Sequence, residues 1–381
     1  MIKITNKTKC CACGACKQIC PKNAIKMQID SEGFLYPIVE ESKCIKCGLC
    51  IKTCPILNNK KQNFIPKVYT AKNKNTNVLK QSSSGGMFSI LADYVLAQNG
   101  VIFGAAFNKN WGVEHCYIDK KEDLDKLRRS KYVQSNTLES FKEAKGFLEE
   151  DRKVLYTGTP CQIAGLKSFL SKNYDNLITA DIICHSTPSP KVWQDFLNQN
   201  YDINKLIKID FRDKKDGWDK SKLYFYFNDG TKEPKDNNMS SFRVGFGAAL
   251  FCRPSCHNCY FKGSNRFSDF TIGDAWGYAD YAPQMFDRNG LSVIFINTKK
   301  GDEIFNKLKE NLIYKQVALD KIIKHNPYYQ TSVKANPKRQ EFFRCYSSES
   351  IDKLIKKLTF HPLYKHIFGK IKRVCKRIIK I

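Results

Sequence analysis

Nine cysteines within the first fifty-four residues, eight of them in two regular runs, constrain this chain more than any other feature. Cys10, Cys13, Cys16 and Cys20 are spaced C-x2-C-x2-C-x3-C, with Pro21 next. Cys44, Cys47, Cys50 and Cys54 repeat that spacing, with Pro55 next. Three closely spaced thiolates wrap three corners of an iron–sulfur cube, and the fourth, before proline, ligates the cube of the other run. The pattern therefore predicts one [4Fe–4S] cluster on Cys10, Cys13, Cys16 and Cys54. It predicts a second on Cys44, Cys47, Cys50 and Cys20. Zinc also accepts four thiolates, but two identical runs closed by Cys-Pro point to iron. Cys11 fits neither run and reads as a spare.

This is the bacterial two-cluster ferredoxin spacing, and an α+β ferredoxin-like domain is expected over residues 1–60. The whole chain holds 17 cysteines in 381 residues, more than core filling uses. The start, "MIKITNKTKC", lacks an apolar export signal, and no apolar stretch approaches the length of a membrane span. A reducing, cytoplasmic setting is therefore expected, with thiols binding metal rather than pairing. Lys+Arg 64 against Asp+Glu 37 leaves +27, a balance that raises nucleic acid as a partner. The lysines are scattered among Asn and Ile without a helix-turn-helix, finger or aromatic–basic motif. No nucleic acid is expected.

Downstream, strands and helices alternate, which argues for an α/β domain over 65–345 with its sites at strand ends. A strand near Tyr69 leads into the polar loop Ser82–Gly86. Met87, Phe88, Ile90, Leu91, Tyr94 and Val95 then recur at helical spacing. A small-residue loop opening a helix offers free N–H groups to a phosphate, though the same run also serves as a plain cap. "VIFGAAF" at 101–107 reads as a buried strand and "RSKYVQS" at 129–135 as a loop. "KVLYTGTPCQIAGLKSFL" at 153–170 is a second strand–loop–helix unit with Cys161 in its turn. "LITADIICHSTPSP" at 177–190 ends a further strand in Cys184-His185. "CRPSCHNCYF" at 252–261 then brings Cys252, Cys256 and Cys259 together, one ligand short of a tetrahedral site or a cube.

"SSSGGMFS", "KYVQS", "GTPCQIAGL" and "CRPSCHNCYF…SDFTIGDAWG", in that order, resemble the coenzyme F(420) hydrogenase/dehydrogenase beta-subunit family, from about residue 65 to about 300. With the ferredoxin runs in front, the chain is similar to a bacterial subgroup often associated with surface-polysaccharide biosynthesis. The resemblance implies a flavoprotein binding FAD beside an iron–sulfur cluster. By position, Ser84, Gly85 and Gly86 would line the FAD phosphates, and Lys131, Tyr132, Gln134 and Ser135 would contact the cofactor. Thr159, Pro160, Cys161 and Gln162 would lie near the isoalloxazine and the cluster. Cys252, Cys256 and Cys259 would then hold a third cube, with Cys161 as fourth ligand and Cys184 as runner-up. A Cys3His zinc site with His257 is the other reading, although His257 lies between two of the thiols.

A flavin takes two electrons together and releases them singly to clusters, which makes the layout an electron converter. A substrate at the flavin needs a proton donor or acceptor. His185, Asp269 and Asp274 are the catalytic candidates, with Asp213 behind them; Asp213 also reads as part of a solvated turn and Asp274 as a loop fastener. The expected function is an FAD-dependent iron–sulfur oxidoreductase acting between a ferredoxin-type carrier and an organic substrate. Whether a deazaflavin serves is left open. The alternative is an electron-transfer subunit with no substrate site of its own, and a third reading is a zinc-binding protein without redox role. At 350–381 a basic amphipathic helical tail is expected, with Tyr364, Ile367, Phe368, Ile371, Val374, Cys375, Ile378 and Ile379 on one face. Such a helix lies on anionic lipid at the inner face of the membrane, or packs on the body.

Overall fold

The first run of cysteines reaches the helix Ala15–Gln18 through Ala12 at φ 53° and Gly14 at φ 78°. The second reaches the helix Leu49–Lys52 through Lys46 at φ 55° and Gly48 at φ 75°. Equal spacing has thus produced equal backbone, twice. Between the runs lies an antiparallel hairpin, β1 (Ile25–Ile29) with β2 (Leu35–Val39). This is a computed structural model, and it describes residues 1–58, 62, 64–235 and 240–359.

The main body is a mixed α/β structure. Its strands are β3 (Lys67–Asn73), β4 (Val101–Phe107), β5 (Val113–Ile118), β6 (Val154–Gly158) and β7 (Leu177–Ile182). A separate antiparallel sheet follows, β8 (Leu206–Asp213), β9 (Lys222–Phe227) and β10 (Lys232–Lys235). Then β11 (Phe270–Asp274), β12 (Ser292–Ile296) and β13 (Leu312–Gln316) return to the main sheet, whose order is β13-β3-β12-β11-β7-β6-β4-β5. The centre, β4-β6-β7-β11, is parallel; the strands outside it pair antiparallel. A parallel centre must be covered on both faces, and its strands accordingly read as apolar runs: Val101, Ile102 and Phe103 are fully buried.

The alternation of strand and helix was legible, but two features were not. The loop ahead of Ser82 contains a short helix, Thr76–Gln81, capped by Asn75, whose Oδ1 accepts from Asn77 N at 3.0 Å and Val78 N at 3.3 Å. The β8–β10 sheet had no counterpart in the periodicity of the sequence. It closes on an aromatic core of Trp193, Phe196, Phe211, Phe225, Phe242 and Phe251, drawn from distant segments. The helix Ile351–Thr359 packs Ile351, Leu354, Ile355 and Leu358 into that same core. The rest of the basic tail, 360–381, lies outside the described residues. No described helix is long and apolar enough to cross a membrane.

The N-terminal unit is fastened to the body by polar bonds at fixed points. Thr137 Oγ1 donates to the Cys13 carbonyl at 3.0 Å, and Gln18 Oε1 accepts from Phe141 N at 2.8 Å. Arg339 forks onto the Glu32 carboxylate, one arm at 2.9 Å. These bonds place the cysteine runs against one end of the sheet.

Candidate functional site

Two small cavities lie within the N-terminal unit. One is lined by Cys10, Cys13, Cys16 and Cys54, together with Cys11. The other is lined by Cys20, Cys44, Cys47 and Cys50. These are the two crossed groups named from the spacing. Cys13 and Cys16 of the first group and Cys50 of the second are buried, whereas Cys47 of the second is exposed, so the second group has one thiol open to solvent.

The first cavity is the inner of the two and abuts the helix Pro160–Leu170. A Cβ added at Gly165 would stand 2.7 Å from Cys13 Cβ and 2.9 Å from its Sγ; only a glycine permits that approach. The helix starts at Pro160 with Thr159 as cap, and Thr159 N donates to Gln162 Oε1 at 2.9 Å, a local arrangement that P-x-Q after Thr encodes. Cys161 then projects from the first turn, where Thr159 Oγ1 lies 3.2 Å from its Sγ. Cys11, Cys54, Cys161 and Cys259 share one packed cluster with Ile56, Ala164 and Phe261. The Cys13 thiol pushes Cys11 up, and Cys11 in turn pushes Cys161 up.

Beside Cys161 stands the trio. Cys252 lies 3.0 Å from Ser186 Oγ, and Cys256 lies 3.5 Å from Thr187 Oγ1. Burial raises Cys252 to about 12 and Cys259 to about 11, thiols that become thiolates when a metal takes up the charge. Cys184 is near enough to feel Cys256, Cys161 and Cys259, so two thiols, not one, stand beside the three. Among the described residues no three His, Cys, Asp or Glu side chains close around a single-ion point; a cube spreads its ligands wider than one ion does. His257 turns Nδ1 to the Val333 carbonyl at 3.2 Å.

A cleft opens at the C-terminal ends of β4, β6, β7 and β11, where open α/β sheets bind ligands. It is lined by Ser84, Gly86, Lys131, Tyr132, Gln134 and Ser135, with Thr159, Cys161 and Gln162. Thus the two loops and the turn quoted above meet in one place. Gly85 and Pro160 stand behind this lining: Gly85 N donates to Ser292 Oγ at 2.8 Å, and a Cβ there would come within 2.3 Å of the Ala71 carbonyl. The polar part of the lining comes from Ser82, Ser83, Arg129 and Ser130, beside the start of the helix Met87–Leu96. The apolar part of the lining comes from Ala105, Leu127, Val133, Ile182 and Ile272.

Burial pulls Lys131 down to about 8, and its Nζ donates to the Arg128 carbonyl at 2.8 Å. The neighbouring loop is propped by Lys214, also lowered by burial, to about 7, which donates to the Leu79 carbonyl at 2.7 Å. Because the folded value of Lys131 lies below that of a free lysine, the unfolded chain holds the extra proton from about pH 8 upward, and folding stability rises with pH there. Affinity for an anion runs the other way and falls as pH climbs through about 8. Inorganic pyrophosphate binding, followed by calorimetry from pH 6.5 to 9.5, is expected to weaken across that window. Lys131→Met should flatten the profile and weaken binding about tenfold at pH 7, the size of one charge-assisted bond.

Two cleft residues carry no signal in the sequence. His115, from β5, sets Nδ1 2.6 Å from Ser135 Oγ and Nε2 3.0 Å from the Thr157 carbonyl. The carbonyl requires the Nε2–H tautomer, so Ser135 donates its O–H to Nδ1. Burial lowers His115 to about 4 and keeps it neutral. Cys11 lines both the cleft and the inner cysteine cavity. Nothing in a lone strand histidine or an off-pattern cysteine points to these places.

The three catalytic candidates do not line the cleft. Asp269 is buried, with Oδ2 accepting from Thr179 N and Oγ1, both at 2.8 Å, and Oδ1 from Thr298 Oγ1 at 2.8 Å; it ties β7 to β11. Asp274 pairs with Arg212 and accepts from Trp218 Nε1 at 3.0 Å. His185 sits edge-on to Tyr328 at 4.3 Å and Phe246 at 5.0 Å, and burial lowers it to about 4.

Comparison with known proteins bears on the same segments. Residues 9–57 match the 4Fe-4S dicluster domain. Residues 68–142 match the N-terminal part of the coenzyme F420 hydrogenase/dehydrogenase beta subunit, and 151–321 match its C-terminal part. An F(420)H(2) dehydrogenase subunit of Methanosarcina mazei is 24% identical over 324 residues, which cover 80% of this chain and 83% of that protein. The coenzyme F420-dependent sulfite reductase of Methanocaldococcus jannaschii is 25% identical over 344 residues, 83% of this chain but only 48% of that protein. A chain of the F420-reducing [NiFe] hydrogenase complex of Methanosarcina barkeri aligns at 19% identity and TM-score 0.47, covering 78% of this chain and 92% of that one. This protein belongs to the coenzyme F420 hydrogenase/dehydrogenase beta-subunit family and carries a 4Fe–4S dicluster domain in front of it, which makes it an iron–sulfur electron-transfer protein related to oxidoreductases.

Proposed function

We propose that the cleft holds FAD next to three [4Fe–4S] clusters, and that the chain passes electrons between a ferredoxin-type carrier and an organic substrate. The observation that carries this reading is Cys11, a wall shared by the inner cysteine cavity and the cleft. The cleft suits the group. Its serines and Lys131, beside a helix start, fit a pyrophosphate, and its apolar lining fits a ring system. When bound, FAD exchanges a hydride with a substrate and single electrons with clusters.

The residues of this chain arrange the rest. Cys47, exposed, puts the outer cluster within reach of a partner protein. Gly165 lets the inner cluster's Cys13 touch the cleft-forming helix. Cys252, Cys256 and Cys259, with Cys161 as fourth ligand, hold the third cluster against the turn that floors the cleft. Lys131 offers positive charge in the lining, while Arg129 is paired with Asp210 and Ser135, fixed by His115, keeps its lone pairs toward the ligand side.

A second reading is favoured by the name of one relative, a dehydrogenase subunit: the chain transfers electrons and its substrate site lies on another protein. A dithionite-reduced flavin that reoxidises only after a partner is added selects this second reading. The first reading is tested by counting iron, sulfide, zinc and flavin on anaerobically purified protein. About twelve iron with matching sulfide and one FAD per chain are expected. About eight iron with one zinc, or no flavin, overturns it.

A further inference from the structure

Arg253 lies inside the trio, one residue after Cys252, and is 1% exposed. Its Nε donates to the Cys10 carbonyl at 2.7 Å, its Nη2 to the Leu35 carbonyl at 2.9 Å and its Nη1 to Gln134 Oε1 at 3.2 Å. Its guanidinium lies 4.4 Å from the centre of the Tyr36 ring and 5.4 Å from that of Phe34. Each of these oxygens is neutral; among the described residues no carboxylate bonds it. A guanidinium does not give up its proton in a protein, and a buried charge left without a counter-charge is expensive. An anion is therefore called for close by.

The places for one are on either side. Cys10, whose carbonyl takes the shortest of the three bonds, belongs to the inner cysteine cavity. Cys252 and Cys256 flank the arginine in sequence. The Cys256 amide donates to the Arg253 carbonyl at 3.0 Å, which holds the trio's second cysteine against the arginine's own backbone. A cube on four thiolates is a net anion, and reduction adds one more negative charge to it.

We propose that Arg253 is the fixed counter-charge shared by two iron–sulfur sites, the inner cluster on Cys10, Cys13, Cys16 and Cys54 and the cluster on the trio, and that it raises the reduction potential of both. The proposal rests on the reading that both sites hold cubes. Each reduction is a one-electron step with no proton taken up. A cation held beside the cluster favours the more negative, reduced form, so removing the charge lowers the potential. The outer cluster, on Cys20, Cys44, Cys47 and Cys50, has no part in these contacts and serves as an internal reference.

The test is a potentiometric titration of the anaerobic full-length protein, followed by electron paramagnetic resonance, on the native chain, Arg253→Gln and Arg253→Lys. Iron is counted on each. In Arg253→Gln the reduced-to-oxidised ratio of both sites, read at the native midpoint, is expected to fall at least about tenfold, which is about 59 mV for a one-electron centre. The outer cluster should stay in place, and Arg253→Lys, which keeps the charge but loses the fork, should stay within about threefold of native. Three outcomes overturn the proposal: unmoved midpoints in Arg253→Gln, an equal shift in all three clusters, or a lysine variant displaced as far as glutamine. If glutamine sheds iron, lysine decides: iron and midpoints retained uphold the counter-charge, and iron lost there too makes Arg253 a clamp. A native count of about eight iron instead of twelve defeats the underlying reading, whatever the midpoints do.

Discussion

Replacing Cys256 with serine is expected to lower the iron content from about twelve to about eight per chain, with flavin and the ferredoxin clusters retained. The trio is built on its own short segment, Pro254–Asn258 being a 3-10 helix that follows the fully buried Cys252. The ferredoxin cysteines are held by a different backbone, the two one-turn helices and their left-handed entries. Loss of one site should therefore leave the other two. The same count separates the two neighbouring thiols. Cys161→Ser should also fall to about eight iron, and Cys184→Ser should keep about twelve, if Cys161 is the fourth ligand. The reverse pattern would assign that place to Cys184. Twelve iron in the Cys256 variant would remove the third cluster from the account.

Gly165→Leu should uncouple the ferredoxin unit from the cleft. The first atom of any side chain there would already collide with Cys13, and neither the sheet-bound helix nor the buried Cys13 yields easily. Overpacking of this kind costs about 1–3 kcal/mol, felt here at the contact between two units. Stopped-flow reduction by a pre-reduced bacterial ferredoxin is expected to reach the flavin at least about tenfold more slowly than in the native protein. Direct photoreduction of the flavin should be unchanged. Gly146→Ala is the control: it lies on the helix Ser140–Glu149, a Cβ there meets nothing within 4 Å, and alanine should add up to about 1 kcal/mol of stability. A Gly165 variant that reduces its flavin at the native rate would mean that electrons do not cross at Cys13.

The cysteine runs were legible because their chemistry is local. Three thiolates on one loop and a Cys-Pro return are set by spacing over a short stretch of chain, and the crossed grouping follows from the repeat. The Thr159 cap and the helix from Pro160 are equally local, as is the helix from Met87. Asp269 and Asp274 lie outside the cleft lining. Their sequence did not reveal this, because a carboxylate in a strand looks the same whether it faces a ligand or ties two strands. Their partners, Thr179 and Thr298 for one and Arg212 and Trp218 for the other, appear only in the fold.

The sequence by itself determined the two ferredoxin runs, the α/β alternation and the three segments that meet in the cleft, since each depends on neighbours in the chain. Only the tertiary structure decided what stands between the sites. Cys11 was a spare until the body folded over it and made it a wall of two cavities. Arg253 has no role in the spacing of its neighbouring cysteines, and only the fold brings it to Cys10, 243 residues earlier. Contacts at such separation carry no periodicity and no spacing, because the chain between them is free to vary; the packed core alone brings them together.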